Sequence, residues 1–387
     1  MHSNIENNTK AVKDLAAALG FDIVGITSAL DFDDFEVIAL ERLESGLMDG
    51  LPWYNAERVK RGSKPSELLP GARSIISLAM SYMTEPPSVS GNAFMGKVGR
   101  YAWGPDYHKV MWDRMSVLID SISRELQVSI RAKTYCDTGP MLDRAVAKRA
   151  GVGWYGKNTN ILSSSHGSWI FLGQIITDLV LQPDSESKKT CGQCTTCIDM
   201  CPTGAIIAPY VLDNSKCISF LTIECRGEIP IQMRPLIGDW VFGCDICQDV
   251  CPVNRKAKPT REPAFQVGEH GFTSLELIPL LSITDLEFKQ RFANSPIRRA
   301  KRSGLVRNVC VALGNIGDIS AIPALIHTLK DKDPMVRSHC AWAIGQIGGS
   351  LSYKALEVAL QEESDDDVVA EITLALDQTN QIIKTTI

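Results

Sequence analysis

Residues 191–202 read CGQCTTCIDMCP, and residues 244–252 read CDICQDVCP. The first stretch is C-x2-C-x2-C-x3-C-P, the spacing of a bacterial ferredoxin run for a [4Fe–4S] cluster. Three thiolates on one tight loop can grip a cubane. The fourth stands where a helix begins, too far round to reach the same irons, and belongs to a second cluster. The second stretch keeps the C-x2-C-x3-C-P ending with one cysteine fewer, and Cys217 lies upstream to complete the count. Two sets of four follow. Cys191, Cys194, Cys197 and Cys251 serve one cluster; Cys201, Cys217, Cys244 and Cys247 serve the other. Cys225 is left over, either as a substitute for Cys217 or as a free thiol. A zinc site would use the C-x2-C pairs as knuckles. It leaves the third cysteine of the first run and both C-x3-C-P endings unexplained.

The 12 cysteines of this 387-residue chain all lie between 191 and 251, except Cys136, Cys310 and Cys340. The N-terminus (MHSNIENNTKAVKDL) is polar, without the apolar stretch of a signal peptide. No run approaches the ~20 apolar residues that span a bilayer. A cytosolic location is therefore expected, where clustered cysteines serve metal or redox chemistry rather than disulfides. With 44% hydrophobic and 22% charged residues, the chain is soluble and globular. Its length suggests two or three domains at roughly 150 residues each. A net charge of -5 excludes a uniformly basic coat for nucleic acid but leaves room for a local patch.

N-terminal to the cysteines, helical and strand patterns alternate. Helices are expected at 9–19, 108–126 and 140–150, and strands at 21–27, 72–82, 128–135 and within 168–181. Residues 84–99 read as a loop and 151–158 (GVGWYGKN) as a Gly-rich turn. C-terminal to them, VRNVCVALGNIG (306–317) recurs as VRSHCAWAIGQIG (336–348), with a fainter copy from Val368. IPALIHTLKDKDP (322–334) supplies a helix and a stop between copies, which reads as a short HEAT-like solenoid. A chance pairing of two Ala/Gly-rich helices is the competing explanation. Cys310 and Cys340 fall on the apolar face of these helices as core residues. The expected architecture is multidomain α+β: an α/β domain over 1–182, a two-cluster ferredoxin-like domain over 183–265, and all-α HEAT-like repeats over 266–387.

Two cubanes make an electron wire, and a wire needs an acceptor, expected in the first domain. Three stretches there concentrate polar chemistry: VKRGSKPSELLPGARSI (59–75) with Arg61, GRYAWGPDYHKV (99–110), and YCDTGPMLDRAVAKRAGVGWYGKN (135–158). Asp137 ends a strand ahead of a helix, where α/β sheets place ligand sites. It could instead cap that helix. Asp143 and Arg144 could form a plain surface ion pair.

Taken together, RYA-x-G-x-DYH, DTGP-x-x-DRA-x-A-x-x-AG-x-GW-x-GKN, the double cysteine run with CISFLT (217–222) and the trailing repeats closely resemble epoxyqueuosine reductase over essentially the whole chain. The resemblance implies a cobalamin- and iron–sulfur-dependent reductase that acts on tRNA. Its substrate would be epoxyqueuosine at the wobble position of GUN-anticodon tRNAs, whose epoxycyclopentane becomes the cyclopentene of queuosine. It also implies a nitroreductase-like fold for the cobalamin-binding domain, repeats that help hold the anticodon stem-loop, and Asp137 as proton donor. The chemistry agrees. The clusters, fed by an external low-potential donor, can generate cob(I)alamin, and a carboxylic acid desolvated beside an apolar corrin face can protonate the departing oxygen. Tyr107, His108 and Arg144 are expected in the substrate pocket. Gly153, Trp154, Gly156, Lys157 and Asn158 are expected against the corrin, the glycines allowing close backbone approach, with Arg61 at the same site. The only D-x-H is Asp106-Tyr107-His108, with Met111 where D-x-H-x-x-G has Gly, so base-off cobalamin without a histidine lower ligand is expected.

Arg298, Arg299, Lys301, Arg302 and Arg307 lie within ten residues without an acidic neighbour and are expected to contact tRNA phosphates. Arg255, Lys256, Lys258 and Arg261 form a second basic group. A monomer is expected. The rival assignments are a corrinoid reductive dehalogenase, which carries an export signal not seen here, a flavin-dependent nitroreductase-like enzyme, and a non-catalytic electron-carrying scaffold.

Overall fold

The computed structural model describes residues 2–85, 94–267 and 271–386. The chain sorts into two compact units, neither continuous in sequence. The first comprises 1–85, 104–215 and 245–270; the second comprises 86–103, 216–244 and 271–387. This division differs from the three consecutive segments expected from sequence. The cysteine-rich segment is divided, because 216–244 supplies a strand and short helices to the core of the second unit.

The first unit is built on a four-stranded antiparallel sheet. In chain order its main elements are α1 (His2–Ala18), β1 (Ile23–Ser28), β2 (Ser74–Ser81), α2 (Tyr107–Leu126), β3 (Ala132–Tyr135), α3 (Asp143–Arg149), β4 (Trp154–Tyr155), β5 (Ile161–Leu162) and β6 (Ile170–Thr177). The sheet order is β1-β2-β6-β3. Every residue of β2 is buried, as its continuous apolar run requires. Along α2, Tyr107, His108, Met111, Met115, Leu118 and Ile122 are buried at helical spacing. The helix begins where the Asp106 side chain accepts from the His108 N–H, and ends where Gln127 turns left-handed at φ 53°.

In the second unit, the strand Met95–Val98 lies between Trp240–Phe242, parallel to it, and Ser274–Glu276, antiparallel. Residues 84–99 thus contain a strand where a loop is expected; 86–93 of that stretch lie outside the described residues. The repeats follow as α4 (Lys301–Ile316), Ile322–Thr328, α5 (Pro334–Ile347), Ser350–Glu362 and α6 (Asp366–Thr386). The repeated glycines have a packing reason. A Cβ on Gly314 would lie 2.6 Å from the Trp342 ring on α5, and one on Gly345 would lie 2.8 Å from the Ala375 side chain on α6. A small residue at that position lets successive helices approach closely. Cys310 and Cys340 are fully buried there, and Cys340 Sγ donates to Leu325 O at 3.0 Å.

Candidate active site and cluster-binding loops

Asp137 leaves the end of β3 with φ +60°, a left-handed conformation that aspartate tolerates better than most residues. Its carboxylate is 55% exposed and accepts from Tyr107 Oη at 2.6 Å. His108 Nε2 stands 3.8 Å from the same oxygen, while His108 Nδ1 lies 2.6 Å from Asp106 Oδ1. The Tyr107 ring stacks on Phe171 at 4.2 Å, which fixes the hydroxyl. Asp137 does not cap α3, whose N-cap is Leu142. A cavity of about 180 Å³ opens here, lined by Tyr82, Tyr107, Asp137, Asp143, Arg144 and Gln248 against an apolar wall of Ile161, Ile170 and Phe171. Tyr107, Asp137 and Arg144 are thus brought together as expected, with His108 beside them.

The desolvated carboxyl is Asp143 rather than Asp137. Burial, and then the negative charge of Asp137, push its pKa up from 3.8 to about 8. Its Oδ1 is buried without a hydrogen-bond partner. Asp143 therefore belongs to the cavity and not to a surface ion pair.

The Asp137 loop is held from outside by a residue with no sequence signal. Arg58, on the short helix Ala56–Gly62, donates from Nη2 to Thr138 O at 3.0 Å and to Gly139 O. On the same helix, a Cβ at Gly62 would come 1.8 Å from Pro140 O, so only glycine lets the loop lie there. Arg61 is exposed on this helix and does not line the cavity.

The 153–158 stretch forms a hairpin that also braces the cysteine loops. β4 pairs with β5 in a tight hairpin, Trp154 opposite Leu162. A Cβ on Gly153 would lie 2.3 Å from Leu162 O, and one on Gly156 2.5 Å from Asn158 Oδ1. At Gly153 the backbone of the hairpin leaves no room for a Cβ. Lys157 Nζ donates to Gly192 O at 2.8 Å, and Asn158 Nδ2 to Cys247 O at 3.3 Å. Both side chains are buried and secure the cysteine loops. Trp154 is buried with Nε1 lacking a partner.

Cys191, Cys194, Cys197 and Cys251 are close enough to sense one another. Burial and then the charges of Cys191, Cys251 and Cys194 raise the pKa of Cys197; burial chiefly, with Cys191 and Cys194 contributing, raises that of Cys251. This is the foursome the spacing groups together, and an all-thiol set suits iron–sulfur chemistry. Among the described residues no three His, Cys, Asp or Glu side chains are gathered as for a single metal ion. Cluster ligands bind different irons of a cubane and so stand further apart. Cys201 and Cys247 belong to the first unit; Cys217, at the N-cap of the helix Ile218–Ile223, and Cys244 belong to the second. Cys225 Sγ faces its own loop, 3.6 Å from Gly227 O.

The basic run at the entry to the repeats is only partly a surface. Arg298 and Lys301 are exposed, and Arg299 is half-buried with Nε 3.8 Å from Glu224. Arg302 is buried instead, its Nη1 and Nη2 on Asp331 at 2.8 and 2.5 Å and its Nε on Ile283 O. Arg307 is also buried, donating to the carbonyls of Leu221, Cys225 and Gly227. Neither guanidinium is presented to phosphate. Local sequence could not show this, because the partners lie 19 to 86 residues away. Arg255, Lys256 and Lys258 are exposed, and Arg261 pairs with Asp22 at 3.1 Å.

Fold and site define a double-cluster iron–sulfur protein with an acid-bearing cavity. The family of 4Fe-4S double cluster binding domains matches residues 190–254, and HEAT repeats match 299–377. The family described as epoxyqueuosine reductase QueG, DUF1730, matches residues 63–138. An epoxyqueuosine reductase of Bacillus cereus is 37% identical over 93% of this chain and 94% of its own length. One of Pseudomonas aeruginosa is 40% identical over 88% and 94%. The crystal structure of an epoxyqueuosine reductase with a tRNA-Tyr epoxyqueuosine-modified stem loop matches with a TM-score of 0.90 at 33% identity, covering 96% of this chain and 98% of that one. A Bacillus subtilis structure, with its catalytic aspartate loop swung out of the active site, matches at 0.89 and 33% identity, covering 95% and 98%. The chain belongs to the epoxyqueuosine reductase family. It is an oxidoreductase with two [4Fe–4S] clusters, and zinc and a mere scaffold are set aside.

Proposed function

We propose that this chain reduces the epoxide of epoxyqueuosine in tRNA to the cyclopentene of queuosine, with Asp137 as proton donor. The observation that carries this is the placement of Asp137 at the rim of a small cavity, anchored by Tyr107, in a chain that also bears the double-cluster cysteines. At about 180 Å³ the cavity is below the usual range for drug-sized ligands and suits a small ring. Tyr107 orients the carboxyl, and His108, locked by Asp106, backs it. Arg144 supplies positive charge at the wall.

Cobalamin, when bound, supplies the strong nucleophile that the side chains lack. Its fit rests on an apolar wall at Ile161, Ile170 and Phe171. Cys191, Cys194, Cys197 and Cys251 bind one cluster, and Cys201, Cys217, Cys244 and Cys247 the other. Arg298 and Lys301, with Arg299 beside them, contact the phosphates of the stem-loop. The Asp137 loop swings as in the B. subtilis relative, with Arg58 holding its inward position. Among the described residues no helix is long and apolar enough to cross a membrane. The enzyme works as a cytosolic monomer with an external low-potential donor.

The test is anaerobic incubation of the reconstituted protein with cobalamin, reductant and an epoxyqueuosine stem-loop, followed by nucleoside mass spectrometry. Queuosine formation that is lost in Asp137→Asn with both clusters intact is the expected result. No queuosine from a fully loaded wild type refutes the substrate. Full activity in Asp137→Asn refutes the acid.

A further inference from the structure

The cavity that holds Asp137 holds a second carboxyl, and the proposed reaction has a use for it. Turning an epoxide into an alkene breaks two C–O bonds and releases the oxygen as water. It consumes two electrons, which the low-potential one-electron donor supplies, and two protons. A single carboxyl carries one proton per turnover.

Asp143 opens α3 and lines the same cavity as Asp137. Its Oδ1 is buried and makes no hydrogen bond, although the first turn of a helix ordinarily favours a solvated carboxylate. The charged and titratable groups that face it are Asp137, Arg144 and Arg58, with Tyr155 beyond. From β6, Gln174 donates to its backbone carbonyl and leaves the carboxyl untouched. The two cations do not neutralise the site, because burial and the Asp137 charge dominate. Tyr107 Oη donates to Asp137 Oδ2 at 2.6 Å.

We propose that Asp143 is the second acid of the site and that its O–H supplies one of the two protons consumed in each turnover. This rests on the epoxide-reducing reading above. One proton reaches the epoxide oxygen as the first C–O bond breaks, leaving a hydroxyl. The other reaches that hydroxyl as the second C–O bond breaks and the C=C bond forms, releasing water. Two protons from solvent then restore the site to its starting state. Held protonated up to a pH of about 8, Asp143 has its proton in place at neutral pH.

The experiment has two arms. The first is the infrared difference spectrum of corrinoid-free protein, wild type minus Asp143→Asn. A carboxylic acid carbonyl band at pH 7 that titrates away through about pH 8 is expected. The second is single-turnover queuosine formation by the loaded enzyme. Asp143→Asn should slow it by about a hundredfold with stem-loop affinity and cluster absorbance unchanged. Asp143→Glu should restore most of the rate, which guards against a folding defect. No band at pH 7, or a wild-type rate in Asp143→Asn, overturns the proposal. A wild type that shows the band but makes no queuosine overturns the substrate reading, and the role in turnover with it, while leaving the protonated state established.

Discussion

Replacing Arg58 with alanine tests how the acid is held in place. Its guanidinium donates to the carbonyls of Thr138 and Gly139, the two residues after Asp137. A hydrogen bond from a charged donor contributes about 1.5–3 kcal/mol when buried. One of these two is exposed and the other part-buried, so solvent screening reduces the pair to about 2 kcal/mol. At 1.4 kcal/mol per factor of ten, that is roughly a thirtyfold shift in the equilibrium between loop held and loop released. Native-state hydrogen exchange reads this directly, since exchange follows the opening equilibrium. The amides of 137–141 should exchange about thirtyfold faster in Arg58→Ala, while those of β2 and β6 keep their protection. Queuosine formation should fall by no more than the same factor. Arg58→Lys should recover only part, because a single ammonium cannot reproduce the planar fork. Trp53 holds the guanidinium at 4.9 Å from its ring, so Trp53→Ala should shift the loop in the same direction by less. Unchanged exchange across 137–141 in Arg58→Ala would refute the reasoning.

Cys251→Ser should lose about half of the bound iron on chemical analysis and keep the other cluster's absorbance, whereas Cys225→Ser should retain both. Asp331→Ala leaves Arg302 buried and unpaired and should destabilise by about 3 kcal/mol in denaturant titration. Between pH 4 and about 8 the folded state keeps a proton on Asp143 that the unfolded chain releases, so stability should fall as pH rises through that window. Asp143→Asn should flatten that slope and gain most at alkaline pH; parallel melting curves against pH would contradict this. Charge reversal at Arg298 and Lys301 should weaken stem-loop binding and lower the log–log salt slope by about 0.7–0.9 for each phosphate no longer neutralised. An unchanged slope would remove both residues from the interface.

Much of the site was legible in sequence because its parts are local. Three thiols within seven residues, Cys191, Cys194 and Cys197, read as cluster ligands through the geometry of one loop. The repeats declare themselves because Gly314 and Gly345 recur where successive helices touch. Asp137, Tyr107 and His108 sit at the ends of elements that periodicity alone locates. Asp137 lines the cavity, but the desolvation expected of it falls on its neighbour Asp143.

What sequence alone determined, then, was chemistry set over short spans: the cluster motif, the aspartate at a strand end, the helical repeats. Tertiary structure alone decided which polar groups reach solvent. Arg302 and Arg307 look identical in sequence to Arg298, yet they are consumed by Asp331 and by three backbone carbonyls. Lys157 and Asn158 brace the cysteine loops, which no local pattern announces. Asp143 looks like a helix-surface acid, yet burial and the Asp137 charge together keep its proton on to about pH 8. Desolvation and hydrogen-bond partnership depend on groups that arrive from distant parts of the chain. A one-dimensional pattern carries no record of which groups those are.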